Sequence, residues 1–193
     1  SGYRIEHMPN LLFAHDQRFM GVNLRYGPDG GVFVLDWYDR QNCHTNNISA
    51  WDRGSGRIYK VTYGERSTNP QAEDPSTASD SKLVELQLHQ NDWYVRHARR
   101  ALQERAAAGK LSAEVRPALS KILDENPDIT RKLRALWALH VTGGIEEELT
   151  LKLLQHPDEF VRSWSIQLEL EDSEVSDAVA GRLVEMAGAD PSQ

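Results

Sequence analysis

Two periodicities divide this chain. Between residues 22 and 63, apolar side chains recur at alternate positions or in short runs rich in β-formers. These are Val22, Leu24 and Tyr26, then Val32 to Tyr38 (VFVLDWY), then Arg57 to Tyr63 (RIYKVTY). Alternation of this kind predicts strands, since successive side chains of a strand point to opposite faces. Gly27-Pro28-Asp29-Gly30-Gly31 separates the first two runs. Proline presets φ there and glycine accepts positive φ, which predicts a hairpin. The third strand is expected to end at Gly64. Asp39 to Gly56 forms a long loop, and its Ile48 and Trp51 predict that it is ordered. Three strands bury too little to stand alone. The β segment is therefore expected either to pack on the helices or to need strands that this sequence lacks.

From Lys82 onward the period becomes helical. Amphipathic segments run from Lys82 to His89, Val115 to Leu123 and Glu147 to Leu154, each followed by a second helical stretch after Asp92, Pro127 or Pro157. Val175 to Met186 reads as one further first helix. Asp92 and Asp158 stand where a side-chain oxygen can cap a helix, and Pro127 and Pro157 stop the preceding one. Leu133, Leu136, Trp137 and His140 make one apolar stripe, and Val161, Trp164, Ile166 and Leu168 make another. Trp137 and Trp164 are expected to be buried core residues.

The helical segments also repeat. Asp92 to Arg96, Pro127 to Arg131 and Pro157 to Arg162 each precede a second helix, placing Arg96, Arg131 and Arg162 at a near-constant interval. The organisation resembles HEAT repeats, whose second helix often opens with D-x-x-V-R. The resemblance implies a mainly α fold, a HEAT-like α-solenoid in which each helix pair buries the open face of its neighbour. It also implies that the three arginines form a ladder with aspartates of neighbouring repeats. The competing reading has them bind an acidic partner.

Composition narrows the function. A net charge of -7 argues against nucleic acid, which is held by clustered Lys and Arg. No apolar run approaches the roughly 20 residues needed to cross a bilayer. Cys43 is the single cysteine, which leaves no internal disulfide and no zinc-finger or haem-attachment spacing. Glu65 to Asp80 (ERSTNPQAEDPSTASD) holds two prolines and no large apolar side chain, so it reads as a linker. The expected organisation is a β segment over 1–64, a linker over 65–80 and helical repeats over 81–193. The whole reads as the end of one domain and the start of another within a longer protein.

The chemistry-bearing stretch is the long loop. His44, Asp52 and Arg53, with Asp36 and Asp39 nearby, supply donors, acceptors and a titratable imidazole, and a histidine beside carboxylates can serve as a base or metal ligand. The plainer reading has Asp36 and Asp39 hold loop amides, Asp52 and Arg53 tie the loop to a neighbouring strand, and Trp37, Tyr38 and Trp51 pack. Cys43-His44 is two adjacent ligands without the further two that a metal needs, so a buried free thiol is expected. His7, His15, His89, His97, His140 and His156 show no metal-ligand spacing, and His140 is expected to be a satisfied core residue.

The strings G-P-D-G-G-V-F-V-L-D-W-Y and G-R-I-Y-K-V look like the closing blade of a six-bladed propeller, similar to the sorbosone and soluble glucose dehydrogenase-like family. With Cys43-His44 and Trp51-Asp52-Arg53, the stretch resembles a bacterial subgroup of quinoprotein-like, large membrane-bound dehydrogenases. In that subgroup the propeller is followed by HEAT repeats and a c-type cytochrome domain. The resemblance implies pyrroloquinoline quinone and calcium in a parent protein, held largely by other blades and not by this chain. It also implies partners in those blades and the cytochrome domain, and a periplasmic or cell-envelope location. Two function readings follow. One is a fragment of a sugar or alcohol dehydrogenase, inactive by itself; the other is a non-enzymatic HEAT-repeat interaction module.

Overall fold

The computed structural model describes residues 6, 8–10, 12–38, 46–50, 52, 54–64 and 73–192. The protein is mainly helical, with a small three-stranded antiparallel sheet. It divides into two compact units, Ser1–Pro70 and Gln71–Gln193.

In the first unit, β1 (Gly21–Tyr26), β2 (Val32–Asp36) and β3 (Arg57–Val61) lie in that order as an antiparallel meander. Leu24 opposes Val34 and Tyr26 opposes Val32 across one interface, and Val34 opposes Tyr59 across the other. The predicted hairpin turn closes through the Gly27 amide, which donates to the Gly31 carbonyl at 2.8 Å. Gly30 takes a φ of +76°, the left-handed conformation that a residue with a Cβ resists. Asp29 completes the turn by accepting from the Gly31 amide and pairing with Lys60 of β3.

The second strand ends two residues earlier than VFVLDWY predicts, and Asp36 is the cause. Its Oδ1 accepts from the Tyr38 amide at 3.0 Å and from the Met20 amide at 2.8 Å. An Asx-type bond of this kind turns the chain away from the ladder, and Tyr38 adopts a φ of +50°. Among the described loop residues, Ile48–Ala50 form a 3-10 turn with Ile48 exposed. The rest of the predicted loop order, Trp51 included, lies outside the described residues.

The second unit holds α1 (Asp80–Glu85), α2 (Asp92–Ala107), α3 (Val115–Glu125), α4 (Ile129–Val141), α5 (Glu147–Leu153), α6 (Glu159–Glu169) and α7 (Asp177–Ala189). A 3-10 turn, Leu86–Leu88, extends α1. Side-chain caps open five of them. Ser79, Asn91, Asp128, Asp158 and Ser176 each accept from an amide of the following first turn. The cap of α2 is thus Asn91, not the expected Asp92, because an N-cap must keep an extended backbone and Asp92 is already helical. α2 ends in a Schellman motif, with the Lys110 amide bonding Arg105 O at 2.9 Å and the Gly109 amide bonding Ala106 O at 3.0 Å. Gly109 supplies the positive φ that this ending requires.

Within this unit α1 packs on α2 and α3, and α3 on α4. α2 packs on α4, α4 on α6, and α5 on α6 and α7. Leu83, Leu102, Leu119, Leu136 and Leu139 form the centre of the core, effectively without exposure. A second, smaller cluster of Leu154, Val179 and Met186 seats α7.

Two further expectations change. The compositional linker is docked at its end: Pro75 and Ala78 are buried. Arg105 donates to the Ser76 and Ala78 carbonyls and pairs with Asp80, so small side chains close to the helices made this stretch look unstructured. Trp137 and Trp164 are half-buried, and meet edge-to-face with ring centres 4.8 Å apart.

Candidate functional site

His44 and Arg53, with Cys43 and Asp39, lie outside the described residues. Asp52 is half-buried, accepts from the Gly54 amide at 3.3 Å and stands 3.9 Å from the Arg18 guanidinium. Asp36 is buried and committed to the Met20 and Tyr38 amides, the plainer of its two expected roles. Its Oδ2 has no hydrogen-bond partner among the described residues. Arg57 covers the ring of Tyr38, its guanidinium carbon 4.3 Å from the ring centre. Each described carboxylate of this region therefore serves the local backbone. Among the described residues no three His, Cys, Asp or Glu side chains cluster as metal ligands would.

The three periodic arginines do not share a position. Counted from the caps Asn91, Asp128 and Asp158, Arg96 is fifth, Arg131 third and Arg162 fourth in its helix. Each position turns a side chain by roughly 100°, and the environments differ accordingly: Arg96 is exposed, Arg131 half-buried and Arg162 buried. Of the ladder that the resemblance implies, Arg162 makes its pair, holding Asp190 after α7 at 2.7 Å. The other pairs between helices come from different cations: Arg134 holds Asp92 at 3.1 Å and Lys152 holds Asp124 at 2.7 Å.

Arg162 has a structural task. It donates to the His156 carbonyl at 2.9 Å and the Pro157 carbonyl at 3.0 Å, and it grips both oxygens of Asp190. Lys132, at the same distance from its own cap, donates to the Leu123 and Asp124 carbonyls at 2.6 and 2.7 Å. Arg116 answers Leu139 O and Gly144 O, each at 2.9 Å. These cations satisfy carbonyls at helix ends, where the dipole favours them. The Arg162 guanidinium, followed by the Ser192 hydroxyl and amide, holds the Asp190 carboxyl far below the usual carboxylate range.

Among the described residues, two features bear on ligand binding. An open groove of about 610 Å³ beside α2 is lined by Pro75, Trp93, His97, Arg100, Arg105 and Lys110. Trp93 and His97 stack there with ring centres 3.9 Å apart. Arg100 is paired with Glu104 at 2.8 Å and Arg105 with Asp80, so most of its positive charge is matched.

The second feature is the edge where α2 meets α4. Arg99 lies over the Trp137 ring, its guanidinium carbon 5.2 Å from the centre. Asp92, Arg96 and Arg134 are its charged neighbours. Sequence reading took the periodic arginines and passed over Arg99 and Arg134. The available signal was the helical spacing of Asp92, Arg96 and Arg99, which places all three along one edge of α2.

Comparison with protein-family models, with curated proteins and with solved structures finds no match to this chain in any of the three.

Proposed function

We propose that the protein is an interaction scaffold whose helical unit is a HEAT-like α-solenoid. The observation that carries this is the alternation of contacts: α2, α4 and α6 pack in series, while α1 packs on α3 and α5 on α7. In such an array each pair leaves a face for its neighbour, stability is nearly local, and the row of second helices is free to meet a partner. The reading is tested by shortening the chain after Ser173, which removes α7. The remaining helices should still melt cooperatively, at a lower temperature. Loss of helicity throughout would mean one indivisible domain and no array.

A second reading concerns the β unit as the last blade of a quinoprotein-like dehydrogenase propeller, in a periplasmic or cell-envelope protein with pyrroloquinoline quinone, calcium, further blades and a c-type cytochrome domain. What favours it is exposed apolar surface on the meander: Leu24 and Ile58 are 65% and 70% accessible, as a blade awaiting neighbours would be. Catalysis would need a pocket enclosing the cofactor, and this chain alone is expected to give no turnover. Calorimetry with the quinone and calcium should show no binding tighter than about millimolar. Micromolar binding lost in His44→Ala or Arg53→Ala would make the loop a complete site.

A further inference from the structure

The α2–α4 edge is short of acceptors. Nη1 of Arg99 and Nε1 of Trp137 are both buried and lack a hydrogen-bond partner among the described residues. They belong to the two residues of a single stacked contact. Buried donors are nearly always paired, and an unmatched charged one is the costliest to leave. The ring face of Trp137 offers Arg99 some compensation through its quadrupole. It offers no acceptor, and the ring's other neighbour is Trp164.

Charge is unbalanced at the same place. Arg96 and Arg134 flank Arg99 with the same sign, and the neighbouring carboxylate, Asp92, already holds Arg134 at 3.1 Å. Burial first, and then these like charges, lower the pKa of Arg99, with Asp92 acting in the opposite direction. The imbalance extends beyond the edge. Residues 91–134 carry ten Lys and Arg against six Asp and Glu, a net of +4, whereas residues 146–190 carry three against twelve, a net of -9.

We propose that Arg96, Arg99 and Arg134, over the Trp137–Trp164 pair, dock an acidic polypeptide segment of a partner protein. This deepens the scaffold reading and rests on it. Carboxylates match the planar fork of a guanidinium. Arg99 is only half-buried, so part of its side chain lies at the surface where a carboxylate can meet it. A long polyanion such as nucleic acid would have to lie against the strongly acidic residues that follow, and is repelled there; a short acidic segment confined to α2 and α4 is not.

The test is fluorescence anisotropy of a labelled oligoglutamate peptide with the full chain. Saturable binding is expected, weakening as salt rises above about 0.15 M. Arg99→Met should weaken it by about tenfold or more, and Arg96→Gln by several-fold, as for charged contacts at a desolvated centre and rim. Arg100→Gln, in the groove beside Trp93, should leave binding unchanged. Arg99→Met removes an unmatched charge and should melt no lower than the parent; Arg96→Gln, at an exposed position, carries the test if it does. The proposal is overturned by absence of saturable binding, by equal binding of the parent, Arg99→Met and Arg96→Gln, or by an equal loss in Arg100→Gln. Self-association of the chain that Arg99→Met abolishes would also overturn it, by giving the face to a second copy. The shortened chain tests the array independently, so failure of the peptide to bind and failure of the scaffold reading remain distinct.

Discussion

The two units use the same kinds of apolar residue to different ends. In the β unit Val34 is the described apolar side chain that becomes fully buried, while Leu24, Trp37 and Ile58 stay exposed on or beside the strands. In the helical unit six leucines vanish from the surface, and the helix ends are closed by caps and returning cations. Backbone hydrogen bonds are well made in both. The difference lies in burial, which supplies most of the driving force for folding at roughly 25 cal/mol per Å² of apolar surface. Among the described residues the three-stranded sheet pairs its backbone but buries little apolar surface beyond Val34, whereas the helices supply one another with neighbours.

The sharpest way to break the comparison is to open a cavity in each unit. Leu136→Ala should destabilise the helical unit by about 3–5 kcal/mol, because Leu136 is fully enclosed in the core and its truncation leaves a cavity. Val34→Ala should leave the helical melt unchanged. Chemical denaturation followed by circular dichroism at the helical band checks both. A Leu136→Ala loss below about 1 kcal/mol would place that side chain at a site able to relax.

A smaller effect is expected at the tryptophan pair. Trp137→Ala and Trp164→Ala should each cost about 2–4 kcal/mol, less than a fully buried aromatic, since both rings remain partly exposed. Their edge-to-face contact should appear in a double-mutant cycle as about 0.5–1.5 kcal/mol of coupling. Strict additivity would mean that the rings do not meet in solution.

The Arg162–Asp190 pair gives a pH signature confined to the helical unit. Asp190 has a depressed folded-state pKa, so its contribution is fully present above the unfolded carboxylate value of about 3.9 and is lost as pH falls through the folded value. The melting temperature of the parent should therefore fall more steeply below about pH 4 than that of Asp190→Asn, whose neutral amide has no such titration. Parallel acid profiles would show the pair to be open in solution.

Much of the architecture was legible in the sequence, for identifiable reasons. Alternation in Val22 to Tyr26 and the Pro-Asp-Gly turn specify the hairpin through local geometry alone, and the helical period specifies the amphipathic helices. Less was legible where one side chain overrides a pattern. Asp36 ends β2 early by capturing the Tyr38 amide, although Trp37 and Tyr38 are good strand formers. The arginine repeat misled because spacing along the chain is not register: caps at Asn91, Asp128 and Asp158 reset the helical phase, and the arginines fall on different faces. Asp92 reads as a cap from composition but serves as an ion-pair partner once Asn91 takes the cap. The Arg99 edge was hidden because its significance depends on what α4 brings to it, Trp137 and Arg134, about 40 residues away.

The central claim is that the helical unit is complete in itself. Residues 71–193 expressed alone test this most directly by thermal melting under circular dichroism. The chain should show high helicity and a single cooperative transition close to that of the helical signal in residues 1–193, because its core, caps and buried ion pair all lie within the unit. A low-helicity, non-cooperative trace would contradict the account, and would make the β unit a required part of the helical fold.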